Sequence, residues 1–137
     1  MGLLIGEKDV FDVKVAFEEK GNSLIFYESN EQIPETAKKE SFTFHKPRWI
    51  DMRRMMSESI ISTGSGIVLN PYVFMDIKIK QLLQDWTLTD TDGKKMKITP
   101  ESIDNLNPAL CDYLNEKIDE VLGTKEEVLT KIPEKLP

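Results

Sequence analysis

The first regular pattern in the chain is Phe11-Asp12-Val13-Lys14-Val15-Ala16-Phe17, in which apolar residues mark every second position. Side chains of a β-strand point alternately to opposite faces, so this pattern predicts a strand with one buried face. Gly21-Asn22 supplies a turn, and Leu24-Ile25-Phe26-Tyr27 supplies a returning strand. The sequence therefore predicts an N-terminal antiparallel β-hairpin.

The segment after this hairpin is polar before it becomes regular again. Residues 28–40 are mostly polar and contain one proline, which predicts an exposed loop. Ser41-Phe42-Thr43-Phe44 then alternates and predicts a third strand. Pro47 cannot donate a backbone hydrogen bond, so we expect regular strand pairing to end before it. Residues 1–46 are therefore predicted to form a β-rich part.

A helical spacing replaces the alternation after this point. Apolar residues recur every three to four positions over residues 49–61, which predicts a helix. Thr63-Gly64-Ser65-Gly66 predicts a flexible loop between this helix and the next. Asn70-Pro71 predicts the start of a second helix, because Asn caps free N–H groups and Pro fits the first helical position. We expect this second helix to run to about Asp85.

Three shorter signals organise the following segment. Asp90-Thr91-Asp92-Gly93 predicts the tight turn of a small hairpin over residues 86–98. Thr99-Pro100 predicts a short helical turn. Asn107-Pro108 predicts the start of the clearest helix in the chain, and Gly123 is placed to end it.

The order of these elements predicts the fold class. Strands come first and helices later, which favours an α+β fold with an N-terminal antiparallel hairpin or small sheet followed by a mainly helical part. We expect a single domain over residues 1–137, with the helical part at 47–123 and a C-terminal tail at 124–137. Within that tail, Thr124-Lys125-Glu126-Glu127 has the spacing of a capping box and predicts a last short helix.

Length and composition restrict the classes of function. A chain of 137 residues with 39% hydrophobic and 31% charged residues is typical of one soluble globular domain. Its longest apolar stretches fall far short of the ~20 residues that span a membrane, so no membrane partner is expected. Cys111 is the only cysteine, which excludes an internal disulfide and favours an intracellular location. A net charge of −6 argues against binding to nucleic acid.

The sequence carries no recognisable catalytic or metal-binding motif. His45 is the only histidine, so a zinc site would lack His ligands, and Ser65 does not lie in a nucleophile elbow. Residues 90–93 resemble the centre of a calcium-binding loop, but Leu88 and Thr99 stand at its two essential ligand positions. We therefore predict no catalytic residue, no cofactor-binding residue, no metal ligand, no cofactor and no enzymatic activity.

A group of methionine and tryptophan residues is the best candidate for a partner-binding surface. Methionine is flexible and polarizable, and clusters of it suit surfaces that must fit a partner segment. The alternative interpretation is that these side chains fill the core between two helices. The candidate partner-binding residues are Trp49, Met52, Met56, Met75 and Trp86.

Two stretches of the chain combine turn, cap and proline signals in a distinctive order. The first is Trp86-Thr87-Leu88-Thr89-Asp90-Thr91-Asp92-Gly93-Lys94, followed by Ile98-Thr99-Pro100-Glu101-Ser102-Ile103 and Leu106-Asn107-Pro108. The second is Phe42-Thr43-Phe44-His45-Lys46-Pro47-Arg48-Trp49, a strand followed by a proline before a first helix. Together they resemble a recurrent pattern in small morphogenesis proteins of tailed phages, the tail assembly chaperones of siphophage-like viruses, and the resemblance covers residues 41–122.

This resemblance implies a function. Proteins of this kind bind other phage proteins, such as the tape-measure protein or tail components, and act in the host cytoplasm without being enzymes. The alternative is a structural component of the virion, such as a neck, tail-completion or baseplate protein. No motif of these proteins assigns particular binding residues, so none is transferred to this chain.

Overall fold

The structure is a computed structural model that describes residues 3–28 and 32–123. It is an α+β fold in which a four-stranded antiparallel sheet, with strand order β2-β1-β3-β6, is combined with helices. A separate two-stranded sheet pairs β4 with β5. The elements are β1 (Val10–Lys20), β2 (Ser23–Tyr27), β3 (Lys38–His45), α1 (Trp49–Glu58), β4 (Ile60–Thr63), β5 (Gly66–Leu69), α2 (Pro71–Leu82), β6 (Leu83–Trp86), α3 (Pro100–Asp104) and α4 (Pro108–Leu122).

The predicted N-terminal hairpin and third strand are confirmed. β1 pairs antiparallel with β2, and the turn between them has Gly21 at φ 62°, a left-handed conformation that favours glycine. β3 pairs with the other edge of β1, which places Val13 opposite Phe42. The alternating apolar residues thus share one face of the sheet, as the two-residue period requires.

Helices cover this apolar face and close the core. Leu114 and Ile118 of α4 are fully buried, and Tyr113 stacks on Phe26 of β2 with ring centroids 4.5 Å apart. The buried hydrophobic cluster joins the sheet to α1, α2, α3 and α4 through Val13, Val15, Phe42, Phe44, Met55, Ile79, Leu82, Leu83, Trp86, Ile103, Leu114 and Ile118.

The end of the second helix differs from the prediction. α2 ends at Leu82, and the next residues form β6, which pairs with β3. Leu83 and Trp86 are three residues apart, a spacing that favours a helix, because residues at this distance in a regular strand point to opposite faces. The pairing of β6 with β3 shifts register between Thr43 and Phe44, and both Leu83 and Trp86 are buried. Pairing with β3 places Trp86 opposite Phe42, with the rings edge to face at 6.4 Å, and this burial favours the strand.

The Gly-Ser-Gly segment also differs from the predicted flexible loop. α1 ends at Glu58, short of the predicted Ile61, and the following residues form the β4–β5 hairpin. Gly64-Ser65 makes its two-residue turn, and the flanking β-branched and aliphatic residues favour strands on both sides. The hairpin lies within the part of the chain that the sequence predicted to be helical.

The remaining predicted elements form, with one reduced in extent. The carbonyl of the Asn70 side chain accepts hydrogen bonds at the start of α2, the Asn107 side chain does so for α4, and Gly123 ends α4 at φ 73°. The predicted 86–98 hairpin is reduced to a turn with one bridge, Thr89 to Lys95. The predicted last helix and the tail at 124–137 lie outside the described residues.

None of the described helices has the length and apolar character needed to cross a bilayer.

A buried ion pair fixes α4 on α2. Lys78 is only 2% exposed, although lysine is almost never fully buried without a partner. Its Nζ lies 2.6 Å from Oδ1 of Asp119 and 4.7 Å from the centre of the Phe74 ring. A buried ammonium without a partner is strongly unfavourable, so this pair constrains how the two helices pack.

Removal of the carboxylate should therefore destabilise the fold. We expect Asp119→Ala to lower the free energy of unfolding by about 1.5–3 kcal/mol, because it removes the carboxylate partner of the buried Lys78 side chain. The measurement is urea denaturation followed by circular dichroism. Lys80 is the matched control: it contacts Asp76 and Asp104 on the surface, so Lys80→Met should cost no more than about 1 kcal/mol. If Asp119→Ala and Lys80→Met lowered the free energy of unfolding by the same amount, this would contradict a structural role for the pair of Lys78 and Asp119.

Candidate protein-docking surface

The structure separates the five predicted partner-binding residues into two groups. Trp86 is 1% exposed, and its indole N–H donates a 2.8 Å hydrogen bond to the carbonyl of Met96, so the prediction that it lines a partner groove is wrong. Met75 is half-buried and packs against the core. The core-filling interpretation therefore holds for these two residues, while Trp49, Met52 and Met56 lie on α1.

The three residues of α1 form one stripe. With 3.6 residues per turn, Trp49 and Met56 point in directions only about 20° apart, and Met52 lies about 40° to the core side of Met56. Trp49 is 77% exposed and Met56 is 44% exposed, whereas Met52 packs partly against the core. We call Trp49, Met52 and Met56 the α1 stripe. It is a continuous apolar track whose most exposed member is a tryptophan.

A contact between Arg48 and Asp51 caps the first turn of α1, which contains Trp49. The Asp51 carboxylate accepts hydrogen bonds from the Arg48 backbone N–H at 3.0 Å and from the Arg48 guanidinium at 3.1 and 3.2 Å. The Arg48 side chain, and then its backbone N–H, lower the pKa of Asp51, and the same contact raises the pKa of Arg48. A negative charge in the first turn also compensates the helix dipole. The exposed indole is therefore carried by an anchored helix.

The β4–β5 hairpin is a second exposed apolar surface, and it was not among the predicted binding residues. All residues of both strands are exposed, and no charged side chain occurs anywhere in residues 59–75. Residues paired across an antiparallel ladder share a face, so aliphatic side chains lie on both faces of the hairpin. The exposed aliphatic residues are Ile60 at 47%, Ile61 at 42%, Ile67 at 70%, Val68 at 47% and Leu69 at 42%.

The edges of this hairpin are open. The Asn70 N–H donates to the Ser59 carbonyl at 2.9 Å, which continues the ladder at its root. Hydrogen-bonded and non-hydrogen-bonded pairs alternate along an antiparallel ladder. Counting from this root, Val68 bonds to β4, whereas Ile67 and Leu69 direct their N–H and C=O groups away from it. No third strand pairs with this sheet in the part of the chain that the structure describes.

The sequence contains a pattern that is typical of this hairpin, although the helical periodicity of the apolar residues did not indicate it. Ile60-Ile61 and Ile67-Val68-Leu69 flank Gly64-Ser65-Gly66, a pattern that fits two strands and a tight turn as well as a loop between helices. The absence of charge over residues 59–75 is unusual in a chain with 31% charged residues. Such a stretch at the surface indicates an interaction site.

The residues considered above for metal binding and catalysis make separate contacts in the structure. Within residues 3–28 and 32–123, no group of three or more His, Cys, Asp or Glu side chains is placed to hold a metal ion. The Nδ1 atom of His45 lies 3.2 Å from the Gln84 amide, and the Ser65 hydroxyl lies 3.2 Å from the Thr63 hydroxyl at the hairpin turn. These contacts are local and polar, and neither brings His45 to Ser65.

Comparison of the chain with protein-family models, with curated proteins and with solved structures found no match. The α1 stripe and the β4–β5 hairpin are therefore the observations from which a function is inferred.

The different exposure of the two tryptophans is open to direct measurement. We expect acrylamide to quench the fluorescence of Trp86→Phe strongly, because its remaining indole, Trp49, is exposed. The fluorescence of Trp49→Phe should resist quenching, since it comes from the buried Trp86. Circular dichroism controls for folding of both variants, and equal quenching constants would contradict an exposed α1 stripe.

Proposed function

We propose that this protein is a non-enzymatic factor that binds another phage protein during tail assembly, and that the α1 stripe is its binding surface. The observation that carries the proposal is the exposure of Trp49 on an anchored helix. Tryptophan is among the residues that contribute most to binding when a partner covers it. An exposed indole with no cover indicates a surface that a partner completes.

The neighbours of Trp49 support the same conclusion. Met52 and Met56 continue the stripe along two turns of α1, and their flexible side chains adapt to an apolar partner segment. Arg53 lies about 40° from Trp49 around α1 and is exposed. Arginine at the rim of an apolar patch is typical of protein interfaces. We expect the partner to present an apolar helix or strand flanked by acidic side chains.

The phage context comes from the resemblance described above. Several of the matching residues have structural roles here: Trp86 is in the core, Thr99-Pro100 begins α3 and Asn107-Pro108 begins α4. The second matching stretch, residues 42–49, ends at Trp49 and so reaches the α1 stripe. The proposed partners are the tape-measure protein or other tail components in the host cytoplasm.

Binding should depend on the exposed indole. The full chain is co-expressed with the tape-measure protein encoded in the same gene cluster, and the affinity of the purified pair is measured by calorimetry. We expect Trp49→Ala to weaken binding by about 30-fold or more, which corresponds to the loss of an interface hot spot of about 2 kcal/mol. Val121→Ala on α4 is the matched control, because Val121 is also an exposed apolar residue, at 49%.

Purified virus particles show whether the protein is an assembly factor or a component of the virion. An assembly factor should be absent from the finished virion, so quantitative mass spectrometry should find at most traces of the chain. Stoichiometric amounts would instead identify a neck, tail-completion or baseplate component. Unchanged affinity in Trp49→Ala would contradict the α1 stripe as the binding surface.

A further inference from the structure

We propose that the β4–β5 hairpin joins two copies of this chain into a two-fold dimer, in which β5 pairs antiparallel with β5 of the second copy. This inference concerns a different surface from the α1 stripe and goes beyond the proposed function. It does not depend on the identity of any phage partner. It begins from the open edges and the aliphatic faces of the hairpin.

The hairpin needs a cover to be stable in water. A two-stranded sheet with strands of four residues is marginal by itself. Both of its faces expose aliphatic side chains, and within residues 3–28 and 32–123 no further strand pairs with either of its edges. Open apolar edges promote uncontrolled pairing between chains unless a specific partner occupies them. In a defined dimer, the second copy makes hydrogen bonds with the free backbone groups of one edge. No further chain can then pair with that edge.

The charge distribution favours a second copy as the occupant. The chain has a net charge of −6, so two copies repel each other over most of their surfaces. Residues 59–75 are the exception, because they contain no charged side chain. Two copies that meet through this segment desolvate no charge and place no like charges against each other. A different protein that is selected by electrostatic complementarity would find no charge here to recognise.

The strand geometry also matches two-fold pairing. An interface around a two-fold axis uses the same surface of each subunit, and any strand edge is complementary to its own antiparallel copy. If the axis passes beside Val68, Ile67 of one copy lies opposite Leu69 of the other. These are the two residues whose N–H and C=O groups point outward, so they form backbone hydrogen bonds across the axis in both directions. Val68 then faces Val68 of the second copy.

β5 is favoured over β4 as the pairing edge. Residues 67–69 of β5 are all aliphatic, and Ile67 is the most exposed residue of the hairpin at 70%. On β4 the residue opposite Ile67 is the polar Ser62. Pro71 follows β5 and has no N–H, which limits the ladder to this short segment. Tyr72 is 77% exposed beside the root of the hairpin and extends the apolar surface available to the second copy.

The first test is the oligomeric state of the full chain. Sedimentation velocity over a dilution series should show a monomer–dimer equilibrium, because each copy contributes only a four-residue strand to the pairing. Val68→Lys and Val68→Glu should each weaken dimerisation at least about tenfold, since two like charges would lie opposite each other in the sheet. A mixture of the two variants should restore the dimer through an opposite-charge pair.

Two further variants locate the pairing edge. Ile61→Lys places the same charge on the same face of the hairpin, but on β4, and should leave the dimer unchanged. Leu69→Pro removes an outward N–H without removing a hydrogen bond to β4, and should weaken the dimer.

Circular dichroism verifies that each variant folds. A wild-type chain that stays monomeric at every concentration would overturn the proposal, as would a dimer that survives Val68→Lys or one lost in Ile61→Lys. Trp49→Ala should leave the dimer intact, which separates this test from that of the proposed function.

Discussion

The pairing of β6 with β3 is the constraint on which the rest of the fold depends. It places Trp86 against Phe42 in the centre of the core and lets the indole N–H bond to the Met96 carbonyl. A single residue thus connects the N-terminal sheet, the end of α2 and the segment that leads to α3. Because β6 follows α2 directly, this pairing also determines the position of α2. The position of α2 in turn determines where the β4–β5 hairpin projects from the rest of the domain.

Much of this architecture follows from local patterns, and the exceptions have a common cause. The alternation in β1 and the Asn-Pro starts of α2 and α4 specify their elements, because each depends on residues that are neighbours in sequence. The three-residue spacing of Leu83 and Trp86 favours a helix until β3 is available as a partner. Ile60 to Leu69 fits a loop or a hairpin in the same way. Lys78 cannot be assigned to the interior before Asp119 is known to face it.

The candidate surface was predictable only in part for the same reason. Trp49 and Trp86 both occur among apolar residues at helical spacing, so sequence alone does not show which one is buried. Pairing with β3 buries Trp86, whereas Trp49 begins a helix whose buried side is set by Met55. The α1 stripe and the hairpin are joined through Ser59, which is fully buried and whose hydroxyl donates to the Met55 carbonyl at 2.7 Å. The two surfaces are therefore held in a fixed relation.

The order of the strands has a consequence for synthesis on the ribosome. β1, β2 and β3 emerge first, but the fourth strand of their sheet is about forty residues further along the chain, and α4 follows later still. Until then the face that carries Phe42 and Phe44 lacks the part of its cover that β6 and α4 supply, so the nascent chain keeps apolar surface exposed while translation continues. The sheet of β1, β2 and β3 cannot complete its fold by itself. The final steps of folding therefore follow the synthesis of almost all of the described chain.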